Sequence, residues 1–286
     1  MTGTATAVAS ETSVEFESGG YVLRGVVHHP AQAPPAVGLV FVHPFAEEKK
    51  CSHRVFVEAA RAATAAGCAV LRFDCRGCGD SEGVFEEADV EAWRKDVRAA
   101  FAYAKEHLGA RRMGLVGLRL GAALAAELAE EELELACLVL WEPVTEGGRY
   151  LSLTMRRSMM RRKLTAHEGG EELADEEEAE EANGEVDFDG YLVSPEMQQQ
   201  IAEIDLLAEP KAYPGPTLVL NLSGRSRVAA AFEKLASLYV SGEAQTVRQE
   251  PIWSTVGLVD PTPTIEASMA WMRGVLGTRG HHTNRA

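Results

Sequence analysis

Runs of consecutive apolar residues punctuate the chain at regular intervals. Residues 37–42, 68–73, 113–116, 137–141 and 217–222 each read as a strand buried on both faces, and 246–250 is a weaker candidate. Between them the apolar positions change to helical spacing, over 54–66 with Gly67 as a stop, 90–108, 118–128 and a closing 265–276. Near the N-terminus the pattern alternates instead. Residues 13–17 and 21–29 predict a hairpin around Ser18-Gly19-Gly20, followed by a Pro-rich loop at 30–35. Strands alternating with helices imply crossover units, so the fold class is α/β: a mostly parallel central sheet with an antiparallel N-terminal hairpin. No internal repeat is present.

The rhythm breaks between residues 145 and 206, a stretch long enough for an inserted lid. Its centre, 168–187, is strongly acidic with few apolar residues, a composition that favours a solvated spacer. Order is expected again over 191–204, where Ser194 is placed to cap a helix that opens with Pro195. The division that follows is a frayed, disordered N-terminus at 1–12, a core made of 13–144 and 207–277, the lid at 145–206, and a flexible tail at 278–286 carrying His281 and His282.

Composition narrows the partners. A net charge of −15 over 286 residues argues against nucleic acid and anionic membranes. Locally, Arg156-Arg157 and Arg161-Arg162-Lys163 form a basic patch able to bind an anion. No apolar run reaches the length of a membrane span, and residues 1–16 lack the basic-then-apolar order of a secretory signal. Five scattered cysteines, an odd number, read as reduced thiols in a cytoplasmic protein. Cys75-Arg76-Gly77-Cys78 has redox or metal spacing but no second pair of ligands and a Gly-rich turn around it, so no metal and no cofactor are expected.

The candidate chemistry centres on Gly117-Leu118-Arg119-Leu120-Gly121, between an apolar strand and an Ala/Leu-rich helix. A Gly-x-Ser-x-Gly elbow has this context and presents a nucleophile at its middle position. Here that position holds Arg119, which stays protonated and cannot attack a carbonyl.

The order of parts resembles the α/β-hydrolase superfamily over residues 13–277. Phe41-Val42-His43-Pro44-Phe45 is similar to the turn that helps form an oxyanion hole. Phe73-Asp74-Cys75-Arg76-Gly77-Cys78-Gly79-Asp80-Ser81 is similar to the Asp-x-Arg-Gly-x-Gly-x-Ser loop, and the lid falls where the superfamily carries its cap. A narrower resemblance lies in His43-Pro44-Phe45-Ala46-Glu47-Glu48-Lys49, in the elbow, in the segment from Gly190-Tyr191 to Pro195-Glu196, and in the Trp253-Ser254-Thr255 segment. These are similar to the exosortase A system-associated hydrolase 2 family. That resemblance implies a bacterial setting tied to surface-protein sorting and exopolysaccharide production, with no substrate specified.

In this fold the nucleophile, the acid and a histidine follow in that order. The turn expected to hold the acid reads Ser223-Gly224-Arg225-Ser226-Arg227, and no histidine occurs from 168 to 280. What remains is electrostatic. Backbone N–H groups of Phe45 and Leu120, a helix N-terminus worth about half a positive charge, and the donor fork of Arg119 suit an anion. An internal carboxylate could take its place, from Glu47, Glu48, Asp74 or Glu142, and Glu142 is the expected partner when the pocket is empty. His43, Cys51 and Ser52 are the weak candidates for a non-standard nucleophile or base, while Cys75 and Cys78 lie in the neighbouring turn. Trp141 and Trp253 flank the expected pocket.

The readings are therefore a triad-free protein binding an anionic or acyl small molecule or a partner protein at its lid, an active hydrolase or acyltransferase with an unorthodox nucleophile, and a pure scaffold.

Overall fold

The N-terminal alternation folds as a hairpin: β1 (Ser10–Ser18) pairs antiparallel with β2 (Tyr21–His29), and Gly19 and Gly20 make the turn at positive φ. A computed structural model describes residues 9–166, 184–255 and 257–278, with side chains described outside 161–166 and 278. β1 begins at Ser10, so residues 10–12 are paired strand where fraying was expected. The Glu11 carboxylate holds them down, 2.7 Å from Arg61 and 3.3 Å from His28. Residues 1–8 and the tail from 279 lie outside the described residues.

After the hairpin, β3 (Gly38–Val42), α1 (Glu47–Ala65), β4 (Ala69–Phe73), α2 (Val90–His107), β5 (Met113–Leu118), α3 (Leu120–Ala129) and β6 (Cys137–Trp141) alternate as the apolar runs predict. Helix α1 starts seven residues before the expected 54. Its first turn, Glu47-Glu48-Lys49-Lys50, is wholly charged and so silent in a hydrophobic pattern, yet its two leading acids suit the positive end of the helix dipole. Helix α2 begins where Asp89 accepts the Ala92 N–H at 2.6 Å. Strand β5 runs through Leu118, so α3 opens at Leu120 and not at 118.

Next come α4 (Gly147–Ala166), a short hairpin of β7 (Val186–Asp187) and β8 (Leu192–Val193), and α5 (Pro195–Ala202). Ser194 caps α5 by accepting the Met197 N–H at 3.2 Å. The hairpin turns on Asp189-Gly190, both at positive φ. From the acidic centre, residues 167–183 lie outside the described residues, as do the side chains of Arg161, Arg162 and Lys163. The chain closes with β9 (Pro216–Leu222), α6 (Ala230–Leu238), β10 (Ser241–Val247) and α7 (Thr262–Thr278). Strand β10 sits five residues before the expected 246. It is a half-exposed edge strand of mostly polar residues, so it lacks the apolar run that marks a buried one.

The sheet order is β1-β2-β4-β3-β5-β6-β9-β10; β1 and β2 are antiparallel to their neighbours and the remainder is parallel. Alternate residues of each strand face opposite sides. Val40, Val42, Leu115, Leu138 and Leu140 join the core shared with α2, α3, α6 and the 145–206 segment, whereas Leu39, Phe41, Val116, Val139 and Trp141 join the core shared with α1 and α7. Strand β3 lies between β4 and β5, so the strand order reverses there. The carboxyl ends around such a reversal form a crevice suited to ligands.

Candidate functional site

Three non-glycine residues with positive φ stand at the carboxyl ends of the central strands or the heads of the helices that follow: Ala46 (49°), Arg119 (56°) and Glu142 (42°). Such conformations cost roughly 1–3 kcal/mol each and persist only where the surroundings enforce them. At Arg119 the enforcement is visible. Its N–H donates to the Trp141 carbonyl at 3.0 Å, and its own carbonyl accepts from Val144 at 3.2 Å. The flanking glycines admit the close approach. A Cβ on Gly117 would lie 2.5 Å from the Ala122 Cα, and one on Gly121 only 2.2 Å from the His43 carbonyl oxygen. The sharp strand–turn–helix elbow is therefore built in full, with a guanidinium at its crest.

That guanidinium is held on three sides. Arg119 Nε donates to Glu48 Oε1 at 3.1 Å, and its Cζ lies 5.1 Å from the Tyr150 ring centroid and 4.9 Å from that of Trp253. The Tyr150 hydroxyl donates to the other Glu48 oxygen at 3.2 Å. Arg119 and Glu48 are 15% and 14% exposed. Burial pushes the Glu48 carboxyl up, with Arg119 and Tyr150 pulling it back. Burial alone would lower the Arg119 guanidinium, but Glu48, Tyr150 and Glu142 outweigh it and the net shift is upward. The Tyr150 hydroxyl is pushed well up by burial and then by Glu48, so it serves as a donor.

Glu142 is not the partner of Arg119, contrary to the expectation from sequence. Its Oε2 accepts from Asn221 Nδ2 at 3.0 Å and from the Leu222 N–H at 2.7 Å, which fixes the carboxylate to the end of β9. Burial raises it, with those two bonds pulling the other way. Glu47 pairs with Lys50 at 3.2 Å and Asp74 with Lys49 at 2.9 Å, so neither reaches Arg119. Glu47 and Glu48 both lie on the first turn of α1 and not in a loop, and of the two it is Glu48 that reaches Arg119.

Trp141 also departs from expectation. As the last residue of β6 it faces the α1 and α7 side, packs on Phe41 and Phe56, and donates to Ser268 Oγ at 2.9 Å. Trp253 is at the site. A cleft of about 260 Å³ is lined by Arg119, Glu142, Val144, Tyr150, Arg157 and Trp253, among others. Phe45 and Leu120 line a different, narrow void of about 10 Å³, room for at most one water.

Of the weak catalytic candidates, Ser52 and His43 are poorly placed for attack. Ser52 is buried and donates to the Glu48 carbonyl at 2.7 Å. His43 stacks on Phe56 at 4.2 Å; its Nδ1 has no partner among the described residues, and burial holds it neutral, well below its usual range. Cys51 is a partly exposed reduced thiol on α1. Burial pushes Cys75 far up and Cys78 to about 12, which disfavours a thiolate at either. The loop that carries them is structural: Arg76 binds the fully buried Asp96 at 2.6 Å, and the Trp93 indole donates to the Arg76 carbonyl at 3.1 Å. Among the described residues no cluster of three or more His, Cys, Asp or Glu is placed to hold a metal ion, and no helix is long and apolar enough to cross a membrane.

Tyr150 was not legible as a site residue. It lies in a helix whose pattern is mostly basic and polar, with no period to mark the face toward the elbow.

Comparison with known proteins gives the following. The family described as Serine aminopeptidase, S33, matches residues 33–207. No curated protein matches the chain. Among solved structures, Est1E from Butyrivibrio proteoclasticus with bound ferulic acid superposes with a TM-score of 0.68 at 18% identity, covering 92% of this chain and 99% of that one. A Pyrococcus furiosus esterase gives 0.58 at 18% identity, with 94% and 89% covered. Proline iminopeptidase from Mycobacterium smegmatis gives 0.63 at 16%, with 94% and 100% covered. At these identities the likeness is one of fold.

Proposed function

This chain belongs to the serine aminopeptidase S33 family of α/β-hydrolases, and from that premise we propose that it binds an anionic or acyl small molecule without Ser–His–acid chemistry. The observation that carries the reading is the placement of the Arg119 guanidinium at the crest of an intact elbow, clamped by Tyr150 and Trp253 and facing a cleft. Glu48 takes Nε, and the Nη amines have no acceptor among the described residues. They remain for a carboxylate or phosphate, to which a planar fork binds well. The positive end of α3, which opens directly after Arg119, adds to the attraction. Val144, Tyr150, Leu153 and Phe232 give the cleft an apolar wall for an acyl chain.

The acid and base of a triad have no substitutes in this reading. The turn after β9 offers Ser223, Arg225 and Arg227, and residues 251–260 contain no histidine. A bound organic acid in Est1E, a protein of the same fold, is consistent with a small acyl ligand here. The likeness of residues 43–49 and of the elbow to the exosortase A system-associated hydrolase 2 family supports a bacterial surface-sorting or exopolysaccharide role. The five reduced thiols favour the cytoplasm for it.

The test is calorimetric. Hexanoate and its methyl ester are titrated into the protein and into Arg119→Met. The acid binds the wild-type chain, the ester binds at least tenfold more weakly, and Arg119→Met abolishes the difference. Turnover of small esters or thioesters that tracks the purified protein and is lost on changing Cys51 or His43 would replace this reading by that of an enzyme with an unorthodox nucleophile.

A further inference from the structure

A second cleft, of about 770 Å³, adjoins the first on the side of the β9–α6 and β10–α7 loops. The two share Glu142, Ala229 and Trp253 as a common rim. The new cleft lies where the Ser223–Arg227 turn and the residues just after β10 converge, positions expected to hold an acid and a base. Its charged lining is Arg225, Arg227 and Glu142, and one Glu142 oxygen is occupied by Asn221 and Leu222. In the first cleft stand Arg119, Arg149 and Arg157 against Glu142 and Glu146. Five arginines thus face two acids across the joined clefts, in a chain whose net charge is −15. Positive charge collected in a concavity on an acidic protein focuses anions there.

Two further features distinguish this from a chance surface patch. Arg225 and Arg227 have no ion-pair partner among the described residues, and Arg149 reaches Glu146 only at 3.9 Å. Trp253, 6% exposed, forms the ridge between the clefts, and its buried Nε1 has no acceptor among the described residues. A buried donor left without an acceptor costs stability in the empty protein.

Resting on the proposed anion-binding role of Arg119, we propose that the ligand carries two anionic groups, one on Arg119 and the other on Arg225 and Arg227, with a short linker crossing the Trp253 ridge. The shared chemistry of the second group is a carboxylate or a phosphate-like head. Each charge-assisted contact of this sort is worth roughly a tenfold gain or more in affinity.

The experiment titrates succinate, adipate and suberate, each against its monomethyl ester, by calorimetry at low salt. 3-Phosphonopropionate serves as the arm that exchanges one carboxylate for a phosphonate. At least one diacid binds roughly tenfold tighter than its half-ester, and the double variant Arg225→Ala/Arg227→Ala brings the diacid down to the half-ester while leaving the half-ester itself unchanged. A higher affinity for the phosphonate identifies the second head as phosphate-like; a lower one identifies it as a carboxylate. Equal binding of diacid and half-ester, or a diacid advantage that survives in the double variant, overturns the two-headed ligand and leaves the Arg119 reading in place. Failure of both acids and half-esters to bind overturns both. Circular dichroism of the double variant verifies folding, which changes at two exposed loop positions leave intact.

Discussion

Glu48 and Arg119, 71 positions apart in the sequence, meet at 3.1 Å because α1 and the elbow both start from the carboxyl end of the sheet. The carboxylate stands behind the guanidinium, and the cleft opens in front of it. In the proposed reading an external anion on the Nη groups shares the guanidinium charge with Glu48 on Nε, so the two compete electrostatically. Glu48→Gln lowers stability by about 3 kcal/mol, since a largely buried cation loses its counter-charge, and at the same time tightens carboxylate binding. Urea denaturation and calorimetry on the one variant read both effects, and movement of the two in the same direction defeats the competition.

Arg119→Ser restores the side chain that an elbow ordinarily presents. Hydrolysis of p-nitrophenyl acetate by this variant stays at the buffer rate, because no histidine from 251 to 260 can take the proton. Stability drops by about 3 kcal/mol as Glu48 is left without its cation. Ester turnover by Arg119→Ser, above that of a heat-inactivated control, would show that a base lies within reach after all.

Asp96 is fully buried, and it binds the Arg76 guanidinium and the Arg76 N–H together, at 2.6 and 2.8 Å. Arg76 in turn donates to the Ser18 carbonyl at 3.2 Å, so one carboxylate joins the hairpin, the loop after β4 and α2. Asp96→Ala costs about 3–5 kcal/mol, measurable as a lowered urea midpoint with unchanged slope.

Acid weakens the fold through its buried histidines. Burial and Arg72 hold His28 at about 4, below the 6.5 of an unfolded histidine, and burial holds His43 well below it too. Both are neutral in the folded chain. The stability that this contributes is complete above pH 6.5 and is lost as pH falls toward 4. Each group adds a slope of about 1.4 kcal/mol per pH unit within its window. Glu48 and Glu142 are shifted upward, so above the ordinary carboxylate range their protonation favours the folded chain and offsets part of this loss. Denaturation at pH 7 and 5.5 registers the loss, and His28→Gln, which retains an acceptor for Arg72 Nε, reduces it. An unchanged slope in that variant would remove His28 from the account.

At Gly121 an added methyl would sit 2.2 Å from the His43 carbonyl oxygen and 2.4 Å from that of Val42, both backbone atoms that cannot swing aside. Gly121→Ala destabilises by about 3 kcal/mol, as thermal unfolding would record.

The strands were legible wherever both faces are buried. Val116, Val139 and Leu220 sit in such stretches and were found in them, since a run of apolar residues has one simple meaning there. Strand β10 escapes the apolar pattern because an edge strand can be polar, and the first turn of α1 escapes it because charge carries no periodicity. The elbow was legible from two glycines whose absent side chains the packing requires. The partner of Arg119 was not. Choosing Glu48 over Glu142 depends on the pitch of α1 from residue 47 and on two hydrogen bonds from Asn221 and Leu222, neither of which is written in local sequence. Tyr150 and the Arg225 and Arg227 pair belong to the site only through tertiary placement.

The backbone at Ala46, Arg119 and Glu142 keeps its left-handed twist although none of these residues is glycine. Under the proposed triad-free reading, turning this protein toward hydrolysis is an exercise in exchanging functional groups, with the main-chain architecture already in position. Three simultaneous replacements, at the crest, in the loop after β9 and in the loop after β10, define the smallest library worth screening.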